Sequence, residues 1–61
     1  MKAMYKNELA RAAGVSADTF RRWTIASRAD LERLGVSTTT KLLNPAAVRY
    51  LCDKFVIDLD D

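Results

Sequence analysis

The stretch KNELARAAGVSADTFRRWTI, from Lys6 to Ile25, decides how this chain folds. Its small and apolar residues are arranged around Gly14 in a way that predicts a helix, a tight turn and a second helix. Leu9, Ala10 and Ala13 share one helical face. Gly14 stands where the chain must leave the first helix at positive φ, a conformation glycine adopts at little cost. Val15 follows as an apolar plug. Ser16 suits the cap of the second helix, because its hydroxyl can accept from an otherwise unbonded amide one turn in, and Asp18 complements the positive helix end. Phe20 and Trp23 put two large rings on the face shared by Ser16 and Ser27, where they are expected to meet Leu9, Ala10 and Val15. Ala10 is small enough for two steeply crossing helices to bring their backbones close.

These residues resemble the DNA-binding helix-turn-helix superfamily, whose usual pattern is an alanine, a glycine four residues later, an apolar residue beside it and a large apolar residue five further on. Ala10, Gly14, Val15 and Phe20 fill those positions, and Leu9, Ala13 and Trp23 fill the usual apolar ones. An αα-hairpin with a glycine turn is the plainer reading of the same residues. One departure concerns the start. A serine or threonine usually precedes the first helix, whereas Tyr5 and Lys6 stand here, so that helix either lacks a good cap or starts late, at Asn7.

At about 100° per residue, Phe20, Trp23 and Ser27 line one side of the second helix, and Ala17, Asp18, Arg21, Arg22 and Ile25 fall on the opposite arc. The resemblance makes this outer arc of the helix 16–26 the reading face for a DNA major groove. Arg21 suits a bidentate contact to guanine, and Arg22, further round, suits a base or a phosphate. Ala17 permits close approach or contact with a thymine methyl, and Ser16 can donate to a phosphate. Lys6, Arg11 and Arg28 are the expected phosphate contacts. Asp18 adds unwelcome negative charge unless it pairs with Arg21 or Arg22, or accepts from cytosine. The plainer reading of both arginines is a solvated face. Trp23 reads as core rather than as a base-stacking platform, since its spacing from Phe20 is that of a buried face.

Charge is distributed unevenly. Through Arg28 the bases Lys2, Lys6, Arg11, Arg21, Arg22 and Arg28 outnumber Glu8 and Asp18, giving +4. Beyond it Arg33, Lys41, Arg49 and Lys54 face Asp30, Glu32, Asp53, Asp58, Asp60 and Asp61, giving −2. The half with the turn motif is therefore the basic half, which points to an anionic partner, with ordinary surface charge on a small protein as the plainer reading. Length and composition narrow the remaining choices. Sixty-one residues predict a single domain, residues 1–61, near the lower limit for folding without staples. Almost half the residues are apolar, yet no run is long enough to span a bilayer, so a soluble globular domain is expected. No signal peptide is visible, and one cysteine cannot form an internal disulfide, so the cytoplasm is the expected compartment. With no histidine, one cysteine and no glycine-rich loop, no catalytic site, metal site or cofactor is expected.

After the motif, SRADLERL predicts a short third helix, about 28–34, with Ser27 and Asp30 in capping-box spacing, Leu31 and Leu34 facing inward and Gly35 as the stop. Val36 to Leu43 changes character, because its threonine run disfavours helix. It reads as a loop entering a short strand near Lys41 to Leu43. Upstream, Met4 and Tyr5 fit either an edge cover for the first helix or a brief strand. Asn44 and Pro45 mark the last helix, 45–55, as a good cap followed by proline at the first helical position. Val48, Leu51, Cys52 and Phe55 give it one apolar stripe that should close over Phe20, Trp23 and Leu31, with Cys52 as buried filler. Val56, Ile57 and Leu59 suggest a short edge strand before an acidic tail, 58–61.

The expected fold is thus mainly α, a small helix-turn-helix domain of about four helices with a short β segment, or wing, before the last. In winged relatives such a segment lies along the DNA backbone, which would make Ser37, Thr38, Thr39 and Lys41 phosphate contacts; a plain polar connection is the alternative. The run Leu43 to Leu51, LNPAAVRYL, is similar to the small MerR-like and excisionase-like helix-turn-helix domains. Tyr5 to Ala10 and Arg21 to Trp23 resemble a group of short uncharacterised bacterial proteins with an F/Y-K-x-E-L-A opening and an R-R-W step. The resemblance implies a partner, double-stranded DNA, for a transcriptional regulator or mobile-element accessory factor. A protein-interaction module on the same scaffold is the alternative. No long heptad offers a dimer seam, although a homodimer or companion protein would be needed for useful specificity.

Overall fold

The computed structural model describes residues 2–37 and 39–59. Thr38 of the expected phosphate contacts, and Asp60 and Asp61 of the acidic tail, lie outside the described residues. Within them the chain forms helices α1 (Lys6–Ala13), α2 (Ala17–Ala26), α3 (Arg28–Arg33) and α4 (Pro45–Phe55), and strands β1 (Met4–Tyr5) and β2 (Leu42–Leu43). The strands pair antiparallel, Met4 opposite Leu43 and Tyr5 opposite Leu42. The architecture is the expected small α domain with a short β segment before the last helix. The partner of β2 comes from the start of the chain. No helix among the described residues is long and apolar enough to cross a membrane.

Local rules set most boundaries. At the end of α1, Gly14 takes φ 72°; its amide donates to the Arg11 carbonyl and that of Val15 to the Ala10 carbonyl, which closes the helix end. Gly35, at φ 85°, repeats the arrangement after α3. Ser16 caps α2 as expected, its Oγ accepting from the Thr19 amide at 3.2 Å. The start of α1 has a different solution. It begins at Lys6 with Tyr5 at the cap position, and Glu8 accepts from the Tyr5 amide at 3.0 Å.

Two sequence expectations fail. Ser27 does not cap α3, because α3 follows α2 across that one residue and its φ −102°, ψ 15° is not the extended conformation a cap needs. Its amide instead bonds the Trp23 carbonyl, and its buried Oγ has no partner among the described residues. Asp30, the other half of the expected box, takes the Tyr50 hydroxyl at 2.7 Å. Nor is Val56 to Leu59 a strand. Val56 leaves α4 at φ 54°, and the Ile57 amide bonds back to the Cys52 carbonyl, so Ile57 turns into the core.

The core joins Leu9, Phe20, Leu31, Val36, Leu43, Val48 and Leu51, with Ala10, Ala47 and Cys52 filling between them. Trp23 stacks on Phe55 at 4.3 Å between centroids and 4° between planes, so α4 closes over the aromatic face of α2. Asn44 fixes the approach of α4 from both sides. Its Oδ1 accepts from the Ala47 amide at 2.8 Å, and its Nδ2 donates to the Leu34 carbonyl at 2.6 Å. One side chain thus caps the start of α4 and the end of α3.

Asn44→Ala should therefore cost about 2 kcal/mol in urea unfolding, a lost cap plus a stranded carbonyl. Asn44→Asp, which keeps only the cap, should cost about half of that. Ser27→Ala removes an unpaired buried hydroxyl and should hold or raise stability by up to about 1 kcal/mol, where loss of a working cap would lower it by a similar amount.

Candidate nucleic-acid interface

The arc of α2 that faces away from the core is exposed along its length: Ala17, Asp18, Arg21, Arg22 and Ile25 are all open to solvent. Core packing of Phe20 and the Trp23 stack fix the rotation of the helix, so this arc follows from which residues are buried. Thr24 is buried and bonds its Oγ1 to the Arg21 carbonyl at 2.8 Å, within its own helix. Ser16 is committed in the cap, accepting from the Thr19 amide and donating to Thr19 Oγ1 at 3.0 Å.

Beside this arc lies an open concavity of about 1020 Å³, between the start of α1, α2 and the chain entering β2. Ala10, Phe20 and Thr24 form its floor. Lys6, Arg21, Arg28 and Lys41 line it, with Glu8 the one acid, for a formal lining charge of +3. Glu8 already accepts from the Tyr5 amide. Arg21, Arg28 and Lys41 have no carboxylate partner among the described residues, and Asp18 pairs with neither Arg21 nor Arg22. Partial burial pushes the Lys6 ammonium below its ordinary pKa, because desolvation disfavours the charged form.

A backbone clasp joins two of these residues, Lys6 and Lys41. Beyond the β1–β2 pair, the Lys6 amide donates to the Lys41 carbonyl at 2.9 Å, which satisfies one of the open amides at the start of α1 and lays Lys41 against it. The turn before Lys41 is rich in hydroxyls: Thr40 Oγ1 accepts from the Ser37 amide, and Ser37 Oγ is 3.0 Å from Thr39 Oγ1 and 2.9 Å from Thr40 Oγ1.

Of the residues singled out from the sequence, Lys6, Ala17, Arg21, Ile25, Arg28, Lys41 and Thr39 line the concavity. Arg11, Arg22 and Ser16 are exposed outside it. Tyr5 and Asn7 also line it, Tyr5 from β1 and Asn7 from the first turn of α1, on either side of Lys6 in the sequence. Among the described residues no group of three or more His, Cys, Asp or Glu side chains could hold a metal ion. No protein-family model, curated protein or solved structure matches the chain.

The clasp can be cut without breaking α1. Tyr5 already has the extended φ −71°, ψ 151° that a following proline requires, and proline suits the first helical position. Lys6→Pro should lower stability by about 1 kcal/mol. In amide exchange, Leu42 and Leu43 should lose protection well before α2 and α4. Uniform loss across all helices would show that the clasp is not a separate unit.

Proposed function

We propose that this chain binds double-stranded DNA, presenting the outer arc of α2 to the major groove, and that it acts as a transcriptional regulator or mobile-element accessory factor of the helix-turn-helix superfamily, in the cytoplasm. The observation that carries this reading is the gathering of Lys6, Arg21, Arg28 and Lys41 around one open concavity with a single acid among its lining. An open trough suits a linear polyanion better than a small anion, since it lets successive phosphates meet successive cations. Arg21, on the arc itself, is the candidate for base contact. A lone module of this size would bury only about 600–1,000 Å² on DNA, so a homodimer or companion protein is part of the proposal.

A protein-interaction role is the second reading, favoured by exposed apolar surface. Tyr5 and Leu42 lie opposite one another across the strand pair and therefore share a face, and both are about half exposed.

An NMR titration with short mixed-sequence duplexes at two salt concentrations separates the two. DNA binding should shift amides from Ser16 to Ile25, with affinity falling steeply as salt rises. Arg21→Ala should cost about 1–3 kcal/mol at one preferred base. Arg11→Ala and Lys41→Ala should weaken all sequences and each flatten the salt slope by about 0.9. No shift at low salt would overturn the DNA reading and favour a protein partner.

A further inference from the structure

Ile25 is the misfit of the arc. It is 50% exposed, and it lines the same opening as Arg21, one helical turn earlier. A single apolar side chain on a protein surface needs no explanation, but this one shares its trough with four cations and with the half-exposed Tyr5 ring. Phosphates offer it nothing, because the DNA backbone is charged and hydrated. The major-groove edge of a base pair does offer an apolar feature, the 5-methyl group of thymine.

Spacing makes the pairing specific. Arg21 and Ile25 are four residues apart, about 6 Å along the helix axis, which along an inclined groove spans about one to two base steps of roughly 3.4 Å rise each. Thr24, the residue just before Ile25, is withdrawn from reading by burial and by its bond to the Arg21 carbonyl. Resting on the DNA reading above, we infer that Ile25 is a specificity-determining residue that packs on a thymine methyl while Arg21 holds a guanine. The preferred duplex then carries a G and a T within about two base steps of each other.

The probe is the tightest-binding short duplex selected from a random-core library at low salt, remade with each thymine in turn replaced by deoxyuracil. That exchange removes only the methyl group. One such replacement, near a guanine, should weaken wild-type binding about fourfold, the effect of one methyl group left unburied. Ile25→Ala should bind the thymine and deoxyuracil duplexes equally, while Ile25→Val, which keeps branched methyl groups, should still distinguish them. Circular dichroism should show both variants folded, since the side chain is half exposed. If no replacement matters to the wild type, or if the loss persists in Ile25→Ala, the inference fails and DNA binding stands. If no duplex binds even at low salt, the DNA reading fails and takes this inference with it.

Discussion

A single backbone hydrogen bond, from the Lys6 amide to the Lys41 carbonyl, ties the two ends of the candidate interface together. On one side of it α1 begins and leads through Gly14 into α2; on the other the chain runs through β2 and Asn44 into α4. The bond extends the two-residue pairing of β1 with β2, which is too short to be stable alone. Its support comes from Leu43, fully buried in the core beneath it. Core packing thus holds the strand, the strand holds Lys41, and Lys41 lines the trough that α2 also borders.

The chain is small, so its helix ends are defined by hydrogen bonds as much as by packing. Gly14 and Gly35 take positive φ with little strain, but Val56 does the same with a β-branched side chain, at a cost of about 1–2 kcal/mol. The return is the bond from Ile57 to Cys52, which turns Ile57 inward to cover the end of α4. Ser27 is another concession. The abrupt step from α2 to α3 leaves its hydroxyl buried without a partner among the described residues, and in exchange Leu31 reaches the core one turn later.

Features that depend on neighbours in sequence were legible in advance. Gly14, Ser16, Asn44 and Pro45 each mark a boundary through their own conformational limits or one nearby amide, and the structure has a helix end at each. The outer arc of α2 followed from the burial of Phe20 and Trp23 on the opposite side. Where tertiary contact decided, reading failed. Asp30 is three residues from Ser27, as a capping box requires, but Tyr50 claims it from twenty residues away. Likewise β2 was expected from its threonine and leucine content, whereas its partner was open, because pairing with residues near the start of the chain leaves no local mark. Tyr5 entered the site by that route. Of the candidate contacts, those on α2 were visible as a face, and their grouping with Lys6 and Lys41 was not.

That grouping concentrates positive charge. Gathering Lys6, Arg21, Arg28 and Lys41 around one opening places like charges near one another, and burial further disfavours the charged form of Lys6. Glu8 is the one carboxylate in the lining and accepts from the Tyr5 amide, whereas on the exposed side of α3 Asp30 is set beside Arg33. Other acids stand elsewhere: Glu32, Asp53 and Asp58 all lie beyond Arg28 in the chain, outside the trough lining. On the DNA reading proposed above, phosphates would supply negative charge to this lining. An anion bound there would favour the charged form of Lys6, which burial disfavours.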